Sequence, residues 1–354
     1  ERTPMSVIPS NGIKVCFIAP STSLVPSDQP VLERSVRILT ESFETSGIYL
    51  SPYLYSSDSR IDHVTAAASQ RAEEFKKVIR EFDLIVSVAG GTGAEDIVPR
   101  IDRHDLRVIR KRRPLFLGYS DFTFLLCEIF ARAGVPGVLF PSLSLGRGHT
   151  GRILSLLSGR RVSFRGSFWL TPPPDGPLAG IPIGGNLTTF VNFLNREKPP
   201  RLPWLEHILF LEDLSIDVED LHRLLAALRR HRVFSRVRAL VVGSLCLDVN
   251  TPEGRTFQDS TLKFLTAFLN EILKTRRNAG RPLPILVAED FGHLVGPREP
   301  AVPIGGTATL FPDGHLEFKL PGKALGPFRK HPNPAEPAKD VLPVLSPVPE
   351  AAPK

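Results

Sequence analysis

Through its first third the sequence alternates: short apolar runs break at small or polar turns and give way to apolar residues at helical spacing. Lys14–Ala19 is such a run, broken by Pro20-Ser-Thr, and reads as a buried strand entering a loop. Pro30–Ser46 follows with helical spacing and an expected stop at Gly47, and Ile48–Tyr55 reads as a second strand. Arg71–Phe82 reads as a charged helix with Phe75, Val78 and Ile79 inward, and Asp83–Val88 as the next strand. Ile97–Ile109 is expected to be mostly helical, Pro114–Leu117 a buried strand, and Phe122–Ala133 a helix. Alternating elements with short connections predict an α/β class with a parallel sheet covered on both faces. Such sheets carry their sites at the carboxyl ends of the strands, which singles out the loops Pro20–Ser23, Ala89–Gly93 and Gly118–Asp121.

The pattern breaks at Gly146-Arg-Gly-His-Thr-Gly151 and again at Pro172-Pro-Pro-Asp-Gly-Pro177, as a connection between two domains would. The expected division is an N-terminal extension (1–12), an N-terminal α/β domain (13–145), a crossover (146–181), a strand-richer C-terminal α/β domain (182–322) and a Pro/Ala-rich tail (323–354) read as disordered. In the C-terminal domain, Leu187–Asn195 and Val218–His231 read as helices. His207–Leu211, Ala239–Gly243 and Ile285–Ala288 read as strands, and Ala308–Phe311 with Leu316–Lys319 as a closing hairpin.

Composition narrows the function. No apolar run approaches the roughly 18 residues of a membrane span, and the N-terminus lacks a signal-peptide profile, so a cytoplasmic protein without membrane contact is expected. The three cysteines are isolated from one another and form no C-x-x-C pair, which predicts buried thiols rather than a zinc site. A formal charge of +7 comes with no aromatic platform or nucleic-acid motif, and its densest runs, Arg110–Arg113 and Arg229–Arg232, fall where helices should end. No nucleic-acid partner is expected.

The sharpest local feature is Pro114-Leu-Phe-Leu-Gly-Tyr-Ser120-Asp, a buried strand running through Gly118 into a turn at Ser120 and then a helix. This is the mechanical recipe of a nucleophile elbow, and equally of a plain turn in which Ser120 caps the helix. Ala89-Gly-Gly-Thr-Gly93 follows a strand and exposes backbone amides, which suit an oxyanion, a phosphate or a simple turn; it matches neither a P-loop nor G-x-G-x-x-G. A hydroxyl nucleophile needs a base, and the base an orienting acid. Of nine histidines, His293 lies on a strand-end loop, whereas His63, His104, His207, His222, His231, His315 and His331 sit in contexts that favour solvated roles and His149 has no evident partner. Glu212 closes the apolar run Leu209-Phe-Leu and is a candidate acid or half of a structural salt bridge.

Together these segments resemble the LD-carboxypeptidase family of serine peptidases, which includes muropeptide tetrapeptidases and microcin C self-immunity peptidases. The resemblance is carried by Ile18-Ala-Pro-Ser21, Gly90-Gly-Thr-Gly93, Gly118-Tyr-Ser-Asp121, Gly184-Gly-Asn-Leu187, Phe210-Leu-Glu-Asp213 and Phe291-Gly-His293, in register over about residues 13–322. It implies Ser120 as nucleophile, His293 as general base and Glu212 as its orienting acid. It also implies oxyanion amides at Gly91 and Asp121, and a substrate cleft between the domains bordered by Gly90, Thr92, Gly184, Gly185 and Asn186. The implied reaction is hydrolysis of an L,D bond in a murein-type peptide with release of D-alanine, by a homodimer acting on a small peptide without metal or organic cofactor.

Three departures bear on the substrate. Ala89-Gly-Gly-Thr-Gly stands where the family usually has Arg-Gly-Gly-Tyr-Gly, Ile216 replaces a second carboxylate, and Phe140-Pro-Ser142 replaces His-Gly-Pro. They leave two other readings open: a self-immunity-type peptidase acting on a peptidyl-nucleotide or other toxic conjugate, and a peptide-binding homologue without turnover.

Overall fold

The computed structural model describes residues 12–56, 64–147, 150–199, 202–214, 216–245, 250–293, 300–322 and 325. Apart from Leu325, the expected tail lies outside the described residues, as do Cys246, His63, His149 and His331. Two sheets organise the chain. Strands β1 (Ile13–Ile18), β2 (Thr45–Leu50), β3 (Leu84–Ser87), β4 (Leu115–Gly118) and β5 (Gly137–Leu139) form a parallel array ordered β5-β4-β3-β1-β2. The second sheet holds β6 (Val162–Arg165), β7 (Phe168–Trp169), β8 (Leu178–Asn186), β9 (His207–Glu212), β10 (Ala239–Val242) and β11 (Ile285–Val287). Strand β12 (Val302–Ile304) returns to the first sheet and pairs antiparallel with β5, so that sheet is not wholly parallel. The hairpin β13 (Thr307–Leu310) and β14 (His315–Lys319) rejoins the second sheet, whose order is β6-β14-β13-β8-β9-β10-β11-β7. Its β8-β9-β10-β11 core is parallel, and strands paired antiparallel flank it on both sides.

Helices α1 (Gln29–Ser42), α2 (Ala68–Glu81), α3 (Ala94–Ile97) and α4 (Arg103–Arg112) precede α5 (Thr123–Ala133). They are followed by α6 (Gly151–Leu157), α7 (Leu187–Asn195), α8 (Val218–Arg230), α9 (Val233–Arg236) and the 27-residue α10 (Pro252–Asn278). Helix α5 is buried nearly all round, from Thr123 through Ile129, as a helix enclosed between layers must be. Its one acid, Glu128, is buried and held by Arg132 at 2.9 Å and by Arg196. Basic runs close α4 and α8, where cations suit the helix dipole.

Several expectations are corrected. Helix α1 stops at Ser42, and Gly47 lies inside β2, because Thr45–Leu50 pairs along β1. That strand then ends at Leu50 rather than Tyr55: Pro52 has no amide to continue a ladder, and Leu54 N turns back to Ser51 O. The segment 97–109 is mostly helical, as expected, but is interrupted: α3 ends at Ile97, a 3-10 turn covers Val98–Arg100, and α4 restarts behind Asp102, whose side chain accepts from His104 N and Asp105 N. The stretch 146–181 contains α6, β6, β7 and the start of β8, so the expected crossover contributes edge strands to the second sheet. His207 is fully buried at the start of β9, with its ring edge-on to Phe130 and Trp204.

His207 Nδ1 donates to Pro203 O at 2.9 Å, while Nε2 is buried with no partner among the described residues. Burial therefore holds its imidazole below the ordinary histidine range. A depressed histidine pKa favours the neutral form in the fold, so its contribution is intact above the unfolded value of about 6.5 and is lost as pH falls below it. Urea denaturation of wild type is expected to lose stability between roughly pH 7 and pH 5. His207→Asn, which keeps a donor for Pro203, should be less stable at neutral pH yet lose less on acidification.

Candidate functional site

Strand β4 delivers Ser120. At Gly118 a Cβ would lie 2.2 Å from Phe122 Cδ1, so only glycine lets the following turn fold back. Tyr119 is extended, Ser120 takes φ +55, and Phe122 N closes onto Tyr119 O at 3.0 Å. A non-glycine residue in the left-handed region costs about 1–3 kcal/mol and persists only where its surroundings enforce it. This strain separates an elbow from a plain capped helix start, and the N-cap position of α5 is Phe122 rather than Ser120.

His293 meets that hydroxyl from the second sheet. The loop after β11 is fixed by Phe291 N to Ala288 O at 2.9 Å and by Ser244 N to Phe291 O at 2.7 Å. Gly243 makes this approach possible, since a Cβ there would lie 2.1 Å from Phe291 O. His293 Nδ1 lies 2.6 Å from Glu212 Oε2, and Nε2 lies 3.0 Å from Ser120 Oγ. A carboxylate can only accept, so Nδ1 carries the proton and Nε2 is left to accept from the serine. Glu212 ends β9 with no exposed surface, and burial pushes its carboxyl up while His293 pulls it back. For His293 burial acts downward, but the Glu212 charge and hydrogen bond outweigh it and hold the imidazole above its usual range. Among the described residues no group of three or more His, Cys, Asp or Glu could hold a metal ion.

The loop after β3 lies over the same hydroxyl. A Cβ on Gly90 would sit 2.5 Å from Ser120 Cβ, 2.9 Å from its Oγ and 3.6 Å from Asp121 N. Gly91 takes φ +99, and a Cβ there would collide with Thr22 Oγ1 at 1.8 Å. Thr22 holds the loop from the other side: its N donates to Gly90 O at 3.1 Å, and its Oγ1 accepts from Thr92 N at 3.4 Å. The Asp121 carboxylate accepts from Ser21 Oγ at 2.7 Å and from Ala94 N at 2.8 Å, tying the elbow to the loops after β1 and β3. Arg71 is buried beneath them and donates to Pro20 O, Ala66 O and Gly93 O. Its Nη2 also lies 3.2 Å from Asp96.

The structure thus brings together Ser120, Asp121, Gly90, Gly91, Glu212 and His293. Gly184, Gly185 and Asn186 have a different position from the expected rim of a cleft. They are buried at the end of β8, in register with Phe210, Leu211 and Glu212, and a Cβ on Gly185 would lie 2.6 Å from Thr123 Oγ1. The Asn186 side chain caps α7 through Thr189 N at 3.0 Å and donates to Asp213 Oδ1 at 2.9 Å. These three residues pack the second sheet against α5, which accounts for two glycines at φ +107 and +133. Thr92 is exposed at the loop tip. Ile216 is buried, as is Phe140, and Ser142 donates to Ser87 O at 2.6 Å, so these last departures serve packing here. Sequence reasoning missed Thr22, Arg71 and Tyr119. Arg71 was hidden by its place in a charged helical pattern, and Tyr119 by the serine beside it.

Two family models match the chain, that of the LD-carboxypeptidase N-terminal domain over residues 15–139 and that of the C-terminal domain over residues 179–310. The chain belongs to the LD-carboxypeptidase family. A proposed carboxypeptidase of Treponema pallidum (strain Nichols) is 26% identical over 324 residues, covering 83% of this chain and 88% of its own. The microcin C7 self-immunity protein MccF of Escherichia coli is 25% identical over 261 residues, covering 63% of this chain and 71% of its own. A wild-type apo structure of the microcin C7 self-immunity protein has a TM-score of 0.67 at 21% identity, covering 89% of this chain and 97% of that one. A muramoyltetrapeptide carboxypeptidase from Oxalobacter formigenes has a TM-score of 0.63 at 20% identity, covering 86% and 98%.

Three outcomes follow from this geometry. Gly90→Ala would press a methyl group onto Ser120 Cβ, and displacing a reactive atom by about 1 Å costs on the order of 10²-fold in rate. The variant should therefore remain folded by circular dichroism but react with a serine-directed acylating reagent at least that much more slowly. With His293 acting as the base for Ser120, reaction would need its neutral form; its pKa is raised, so the acid limb of the wild-type pH–rate profile should have its midpoint above about 6.5. Glu212→Gln removes the cause of that rise. Its limb should move to lower pH while the plateau falls by roughly 10³–10⁴-fold.

Proposed function

We propose that this protein is a serine-type LD-carboxypeptidase that cleaves an L,D amide near the C-terminus of a murein-type peptide, with Ser120, His293 and Glu212 as its triad. The observation that carries the reading is the unbroken chain from Glu212 through His293 to Ser120, at 2.6 and 3.0 Å, ending on a strained elbow. His293 Nε2 takes the serine proton as Oγ attacks the scissile carbonyl. Glu212 holds the imidazole in the tautomer that can accept, and stabilises the imidazolium that forms. The tetrahedral oxyanion faces the amides of Gly91 and Asp121, where removing one donor from such a pair costs about 10²–10³-fold in rate. His293 then protonates the departing amine, D-alanine in the murein case. Water, deprotonated by the same imidazole, hydrolyses the acyl-enzyme and regenerates the serine. The cleft between the two sheets is the proposed substrate site, and Gly90 and Thr92 are its proposed peptide contacts.

A second reading has support from the family itself, because one relative is a self-immunity protein, and a structure of that protein contains aspartyl sulfamoyl adenosine. Thr92, in place of the family's usual tyrosine, is an exposed side chain on the loop over Ser120 and is where the two substrate classes would be told apart.

Mass spectrometry of the products from a mixed panel tests both readings. With a murein tetrapeptide, aminoacyl sulfamoyl adenosines and all-L peptides present, wild type is expected to release D-alanine and Ser120→Ala nothing. Cleavage of the nucleoside conjugates alone would favour the self-immunity reading. Turnover by Ser120→Ala would overturn the triad.

A further inference from the structure

Tyr119 is the residue of the elbow that the peptidase mechanism leaves unused. It is only 8% exposed although it lies beside the proposed nucleophile. Its ring stands edge-on to the His293 imidazole, with centroids 5.1 Å apart and planes at 64°. Its hydroxyl is buried near the Glu212 carboxylate and acts to favour the charged form. One side chain therefore adjoins all three members of the proposed triad: Ser120 through the peptide bond, His293 through the ring and Glu212 through the phenol.

We infer that Tyr119 is a positioning residue, whose ring braces the imidazole in line with Ser120 and whose hydroxyl holds the buried carboxylate. The inference rests on the reading of Ser120 as nucleophile. The two parts of the side chain have separable effects. An aromatic edge against an imidazole limits rotation of the ring about its own bonds, which matters because Nε2 must lie on the serine hydroxyl while Nδ1 lies on Glu212. The phenol acts differently. A hydrogen bond to Glu212 is worth most when the carboxylate charge has no imidazolium to offset it, so it preferentially stabilises the state in which His293 is neutral and able to accept a proton. Among the described residues, the other groups facing the pair are Ser120 from the elbow and Asp213 from the end of β9. The Asp213 charge acts to keep His293 protonated, in opposition to Tyr119.

The test is the rate of covalent modification of Ser120 by a fluorophosphonate reagent across about pH 5 to 9, where histidine titration falls. It is measured for wild type, Tyr119→Phe and Tyr119→Leu, with the labelled peptide identified by mass spectrometry. Tyr119→Phe keeps the ring and loses the hydroxyl. Its acid limb should move up by ~0.5 pH unit or more, with the alkaline plateau kept near that of wild type. Tyr119→Leu loses both functions, and its plateau should fall by about tenfold or more, as misplacement of a reacting group does. A Phe variant whose limb coincides with wild type, or moves down, would overturn the role of the hydroxyl. A Leu variant that keeps the wild-type plateau would overturn that of the ring. Failure of wild type to be labelled at Ser120 at any pH would instead overturn the nucleophile reading, so the two failures are told apart. Because the Phe variant preserves the buried ring, its limb stays interpretable even if the Leu variant folds poorly.

Discussion

A carboxylate with no exposed surface has to be met by a partner, and at the end of β9 that partner is the His293 imidazole. Removing a charge from water costs several kcal/mol after relaxation, and a lone hydrogen bond does not repay it without good geometry. Much of the surrounding architecture secures that geometry. Gly243 lets the loop after β11 close onto the end of β10, Gly185 lets β8 seat against α5, and α5 begins one turn beyond Ser120. The two sheets are thereby held at the separation at which one imidazole can reach from the acid to the alcohol.

The same demand explains what the sequence revealed of the fold. Strands buried on both faces are short apolar runs, and those from Lys14, Asp83, Pro114, His207 and Ile285 stand out because nothing polar can interrupt them. The elements that escaped detection lie where local signal is weak or is overridden. Val302–Ile304 contains a proline and only three residues, and it is a strand because β5 offers it an edge. Phe168–Trp169 is likewise defined by its partner, β11. Gly47 looks like a helix stop, yet sits in β2 because pairing with β1 outweighs its propensity.

At the site, the residues that meet over Ser120 were legible because their chemistry is tied to strand ends: a serine after a glycine turn, an acid closing an apolar run, a histidine on a loop. What the sequence concealed is the support beneath them. Arg71 belongs to a charged helix on which Glu73, Arg80 and Glu81 are exposed, so nothing in its spacing announces that it is buried against three carbonyl oxygens. Gly184, Gly185 and Asn186 carry the opposite lesson. Glycines near a reactive centre read as a rim for substrate, whereas here they are the close-packed seam along which two layers touch.

Strand β12 makes that seam part of a longer connection. The outer edge of β5 is covered by residues synthesised only after most of the second sheet. A nascent first half therefore emerges with one strand edge bare, the kind of edge that invites pairing with other chains. Its closure must wait for a contact of very high sequence separation, which slows folding. The chain is latched by its own late segment, and two fragments cut between the sheets would each carry away half of the latch.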